Sequence, residues 1–151
     1  MGQILSILMD AFFIGLLVWC GYTDIRKRIV SNVVITVLLC LGIAHTGLIA
    51  SAQSTWWVYP LGMTFVIPFF ISWLRGGMGA GDVKMVMAMA LYLGLLNAVI
   101  AFALMVPVLI VLMARSLIRE KTLKCRIPVA PVLAFGAIGA VTMSYVYGLL
   151  I

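Results

Sequence analysis

The chain has 151 residues, 66% of them hydrophobic and 9% charged, with ten Lys and Arg against four Asp and Glu for a formal net charge of +6. A water-soluble domain of this length needs far more polar surface, so the composition excludes one and points to an integral membrane protein. No separate soluble domain and no nucleic-acid partner are expected.

In chain order, apolar stretches predict helices over 4–22, 33–51, 56–74 and 128–151, each close to the roughly 20 residues that a span requires. Residues 4–22 have no basic region before them and no small-residue cleavage site after them, so they read as a retained helix rather than a removed signal peptide. Residues 85–114 carry no charge; the stretch is long for one span and short for two. The basic residues decide between these. They fall at Arg26, Lys27 and Arg28, at Arg75 and Lys84, and at Arg115, Arg119, Lys121, Lys124 and Arg126. If 85–114 is two short helices turning near Gly94 and Asn97, all three clusters share one side, the cytoplasm by the positive-inside rule. One long helix would force the most basic loop to the other side. The expectation is an all-α, polytopic bundle of about six transmembrane helices with both termini outside the cytoplasm.

Several side chains carry lesser expectations. Asp10 sits towards the outer face, either at the interface or paired inside the bundle, and His45 has a packing or interface role. Trp56, Trp57 and Tyr59 suit an outer aromatic belt. Cys20, Cys40 and Cys125 are scattered and form no CxxC pair, so neither a disulfide framework nor a metal site is expected, and no cofactor. The ten methionines read as packing. Pro107 can kink its helix, Pro128 and Pro131 shape the start of the last one, and Gly136 and Gly139 allow close helix approach.

Two carboxylates stand apart. Asp24 ends the first helix in YTDIRKRIVSN, and Asp82 begins the fourth in GAGDVK, behind Gly77, Gly79 and Gly81, whose freedom at positive φ brings backbone close to a partner. Both fall at the cytoplasmic boundary, whereas Glu120 lies in the most basic loop. Ionisable groups at membrane depth mark function by default. Two facing carboxylates sharing a proton can activate water and polarise a carbonyl without serine, histidine or metal. The structural alternative is that Asp24 neutralises its basic cluster and Asp82 caps its own helix.

GAGD resembles the GxGD signature of the type IV prepilin peptidases, which are membrane aspartic proteases. DIRKRIVSN (24–32) is similar to that family's first-aspartate motif, and RIPVAPVLAFG (126–136) to the proline-containing start of its last helix. The resemblance implies that Asp24 and Asp82 are the catalytic pair and that Gly79 and Gly81 shape the second site. It leaves Lys84, Arg26 and Asn32 to orient carboxylates or backbone. The implied substrate is a prepilin or pseudopilin with a short basic leader, cut before its hydrophobic helix at the cytoplasmic face of a bacterial inner membrane. Anionic membrane lipids would contact the basic loops. The chain lacks the cysteine-bearing insertion and methyltransferase activity of larger members and looks like the small peptidase-only forms serving Tad/Flp-type pili. GxGD also occurs in presenilin and signal peptide peptidase, but there the first aspartate follows tyrosine directly, and here Thr23 intervenes. A small ion- or proton-coupled carrier and a non-catalytic secretion-assembly subunit are the alternatives. The carrier fits less well, because both acids sit at one face rather than at the midplane.

Overall fold

The computed structural model describes residues 2–27, 31–52, 55–76, 78–120 and 129–148. Arg28, Gly77, Lys121, Lys124, Cys125, Arg126 and Pro128 lie outside them. Among the described residues every regular element is helical: α1 (Gly2–Lys27), α2 (Asn32–Ala52), α3 (Val58–Gly62), a 3-10 turn at Met63–Phe65, α4 (Val66–Leu74), α5 (Ala80–Glu120) and α6 (Ala130–Tyr147). Three helical stretches are long and apolar enough to cross a membrane, Ile4–Lys27, Asn32–Ile49 and Ala80–Leu112, and Val58–Leu74 and Ala130–Val146 are shorter and apolar. Many of their apolar side chains face outward, among them Ile4, Leu8, Phe12, Val33, Ile43, Val111 and Val146. A helix apolar all round suits a bilayer and not water.

The α5 helix is not one rod. Gly94 breaks it with φ 72° and ψ 178°, a backbone region essentially confined to glycine. Contacts on the two sides of the break run in opposite directions. Before it, the chain passes from Asp82, within coulombic range of Asp24, to Tyr92, whose hydroxyl donates to Asp10. After it, Asn97 meets Ser144 and Ala101 packs against Gly136. The α6 helix lies antiparallel to α1, with Ala130 at Asp24 and Tyr145 at Asp10, so the second arm of α5 returns towards the Asp24 end. Pro107 lies inside that arm, and Gly94 is where the helical dihedrals fail. The turn expected near Gly94 and Asn97 is therefore present. At Gly136 a side chain would collide with the Ala101 carbonyl, so the close α5–α6 approach depends on a bare backbone there.

The first arm of α5 is the centre of the bundle. Met85, Val86, Ala88, Met89 and Tyr92 are buried in one cluster with Phe13 and Leu17 of α1, Leu38 of α2 and Leu133 of α6. Phe65 stacks on Phe102 of the second arm and Phe69 packs against it tilted, with ring centroids 5.3 and 5.2 Å apart. Trp56 and Trp57 are exposed as a belt requires, but Tyr59 turns inward, its ring 5.4 Å from that of His45.

Replacing Gly94 with alanine should lower the thermal unfolding midpoint in detergent, by the equivalent of about 1–3 kcal/mol from backbone strain. The added Cβ would also stand 3.1 Å from the Tyr59 ring. Gly15, helical and with nothing within 4 Å of an added Cβ, is the control, and Gly15→Ala should raise the midpoint slightly, by about 0.5–1 kcal/mol.

Candidate active site

Asp24 lies on the last turns of α1, which continues past the expected residue 22 to Lys27 and carries Arg26 and Lys27 at its C-terminal end, where cations suit the helix dipole. The carboxylate is buried, with 8% of its surface exposed. Its Oδ2 accepts a hydrogen bond of 3.3 Å from the backbone N–H of Ala130, the first residue of α6. That helix begins with Val129 at its cap position, which offers no side-chain acceptor. The first N–H groups of any helix lack partners of their own, and Asp24 supplies one from another helix. The approach needs a thin α1. A Cβ on Gly21, one turn before Asp24, would stand 3.2 Å from Pro131 Cα.

Asp82 lies in the first turn of α5 and is half-buried. The Asp24 carboxylate is within coulombic range of it, so the ends of α1 and α5 bring the two sequence-selected acids together. The glycines act differently from expectation. Among those described between 76 and 81, Gly76 takes positive φ, at 74°, and Gly79 and Gly81 do not. Gly81 is already the second residue of α5, so helical dihedrals are imposed on it. Gly79 contributes space rather than handedness, because a Cβ there would lie 3.1 Å from Asp82 Oδ2.

The remaining selected residues divide. Lys84 Nζ donates to Asn32 Oδ1 at 3.4 Å, joining the first turns of α5 and α2 beside Asp82. Arg26 sets its guanidinium over the Tyr22 ring, 5.2 Å from the centroid. Sequence reasoning missed Gly21 and Ala130. A glycine three residues before an acid on one helix face was the available signal for the first, and a backbone donor leaves none.

A second polar cluster lies at the other end of α1. Asp10, 3% exposed, accepts 2.6 Å hydrogen bonds from Tyr92 Oη on one oxygen and Tyr145 Oη on the other. Asp10 thus pairs inside the bundle, the second of the two expectations for it. Along α1 it is roughly 21 Å from Asp24 at about 1.5 Å per residue.

These features define a helical membrane protein with two acids within coulombic range of each other at one end. The model of the type IV leader peptidase family matches residues 11–117, and the chain belongs to that family. The match takes in Asp24 and Asp82 and ends before α6. No curated protein and no solved structure matches the chain.

Gly79→Val should leave the unfolding midpoint close to wild type, because Gly79 is exposed, while displacing the Asp82 carboxylate. Peptidase activity, read by the size of a processed substrate on a gel, should fall at least about tenfold, as misplacement near 1 Å does in a preorganised site.

Proposed function

We propose that the protein is an aspartic endopeptidase that removes the short basic leader of type IV prepilins or prepilin-like proteins at the cytoplasmic face of a bacterial inner membrane. The observation that carries this reading is the Asp24–Asp82 pair, two acids within coulombic range at one end of a chain of the leader peptidase family. The whole described helical bundle acts as one membrane-embedded peptidase unit. It crosses the membrane six times with both termini outside. The reversal at Gly94 supports that count, because it returns the charge-free stretch to the side from which it started and lets all basic clusters share a face.

The chemistry follows from two carboxyl groups with one proton between them. The ionised member removes a proton from a water molecule, and the water oxygen bonds to the scissile carbonyl carbon. The protonated member donates a hydrogen bond to the carbonyl oxygen as negative charge develops there. When the tetrahedral species collapses, the C–N bond breaks and the leaving amine takes the proton gained by the base. Among the described residues Asp24 keeps lone pairs available for this task, since its hydrogen bond from Ala130 is long at 3.3 Å. The Ala130 contact holds the carboxyl in place, and the Lys84–Asn32 link fixes the start of α5 against α2.

The substrate enters with its hydrophobic helix lying laterally against the bundle and its leader at the aspartate end. The basic leader finds attraction at the aspartates and repulsion from the basic loops, which contact anionic lipid instead. Resemblance to the small peptidase-only forms favours Tad/Flp-type pilins as substrates. The carrier alternative is weakened by the position of both acids at one end of α1 and α5 rather than at mid-depth.

Asp24→Asn and Asp82→Asn should each reduce cleavage of a co-expressed prepilin by at least about 10²–10⁴-fold, followed by gel shift and mass spectrometry, with normal membrane insertion. Cleavage by either variant at the wild-type rate would remove the aspartyl assignment. A C-terminal alkaline phosphatase fusion should be active and a C-terminal fluorescent-protein fusion of the cytoplasm-folding type dark. The opposite pattern would place the C-terminus inside.

A further inference from the structure

The cluster around Asp10 takes no part in the proposed peptidase chemistry, yet it gathers polar groups from almost every helix of the bundle. Around one cavity of about 10 Å³ stand Asp10 of α1, His45 of α2, Tyr59 of α3, Tyr92 and Asn97 on the two arms of α5, and Ser144 of α6. Most of these groups have assigned partners. Asp10 receives Tyr92 and Tyr145 on its two oxygens. Ser144 Oγ donates to Asn97 Oδ1 at 2.8 Å. The imidazole of His45 stacks on the Tyr92 ring at 4.4 Å and has the Tyr92 backbone in hydrogen-bonding range. Its Nδ1 is the exception. It is buried on a residue 4% exposed, and it has no hydrogen-bond partner among the described residues.

We propose that this cavity is a binding site for one water molecule, which donates a hydrogen bond to His45 Nδ1 and ties α2 to the polar groups of α1, α5 and α6. Three observations converge on that ligand. A buried acceptor left without a donor is strongly disfavoured, more so in a membrane protein, where bulk water cannot relieve it. The cavity has the volume that one water occupies, and water settles where two to four polar partners surround it. The lining brings a carboxylate, hydroxyls, an amide and the imidazole to one space, beside the apolar Leu93 and Val141.

Other uses of the same residues fit less well. A hard cation seeks several oxygen ligands, and the unsatisfied atom here is a nitrogen. A Ser–His–Asp relay would need Asp10 to hold the imidazole and the imidazole to hold Ser144. Asp10 is committed to two phenols and Ser144 to Asn97. The water is therefore structural, and it sits beside the Gly94 break, where helical hydrogen bonding is interrupted.

The chain has one histidine, which gives an unambiguous probe. The experiment is nitrogen NMR of the full wild-type chain, labelled in the imidazole and held in lipid nanodiscs, with magnetisation transfer from water protons to the ring protons. The expected result is a proton on Nε2, Nδ1 at the shift of a hydrogen-bonded acceptor, and direct transfer from water. A bare Nδ1 shift, a proton on Nδ1, or an acceptor shift with no transfer from water would each overturn the proposal, the last by making a side chain the donor. Val141→Leu, which adds a methylene to the apolar wall of the cavity, should abolish the water transfer and move Nδ1 to the bare shift. Retention of both signals in a folded Val141→Leu protein would also overturn the proposal. The readout is independent of prepilin cleavage, so failure of the peptidase reading would leave it untouched.

Discussion

A helix crossing hydrocarbon keeps its peptide groups paired with one another, and any interruption frees carbonyls and N–H groups that lipid cannot satisfy. Gly94 is such an interruption, and the arrangement of the chain around it follows from that constraint. The Tyr59 ring covers the glycine, His45 reaches the Tyr92 backbone, and Asn97 pairs with Ser144 just beyond. The reversal also sets the direction of everything after it. With a straight α5, the α6 helix would begin at the opposite end of the bundle, and Ala130 would lie far from Asp24. The contact between Asp24 and α6 therefore depends on a backbone conformation some 20 Å away, by the rise of about 1.5 Å per residue.

The two buried acids of α1 show how similar groups acquire different uses. Asp10 has an oxygen committed to each of two phenols at 2.6 Å, so it anchors α5 and α6 and has little capacity left for a reacting molecule. Among the described residues Asp24 has one long hydrogen bond, from a helix N-terminus, and a second carboxylate nearby. Two acids near each other without direct pairing do little for stability, since like charges repel and desolvation disfavours both. The chain has four acids in all, and two of them lie within coulombic range of each other, each beside a helix N-terminus, as the proposed chemistry requires. Burial alone does not separate these cases, because both α1 acids are buried. The number and length of their hydrogen bonds does.

Much of this was legible because membrane insertion imposes simple rules. The absence of charge over 85–114 and the grouping of Lys and Arg led to a turn near Gly94, and the structure breaks there with a glycine-only backbone. Asp24 and Asp82 stood out because acids are scarce. What sequence did not reveal was contact at long range. Tyr92 and Tyr145 lie 82 and 135 residues from Asp10, and nothing local marks them as its partners. Tyr59 fits an aromatic belt by position, but packing against Gly94 and His45 outweighs the interfacial preference of its ring. The GAGD glycines signalled conformational freedom, while Gly79 supplies room for a carboxylate and Gly81 is simply helical.

Helices in lipid gain little from burying apolar surface against one another, because the lipid is equally apolar, so association rests on close packing and interhelical hydrogen bonds. In this bundle the two contributions are separated along the length of α1. Hydrogen bonds gather at the Asp10 end, where α1, α5 and α6 are linked directly. Close backbone approach at Gly136 and the methionine-rich face of α5 hold the middle. Among the described residues, the direct links at the Asp24 end include the 3.3 Å Ala130 contact and the exposed Lys84–Asn32 bond. That distribution suits a peptidase whose substrate is itself a hydrophobic helix. On the proposed reading the substrate backbone enters at the Asp24 end, while the opposite end of the bundle is held by the two short hydrogen bonds to Asp10.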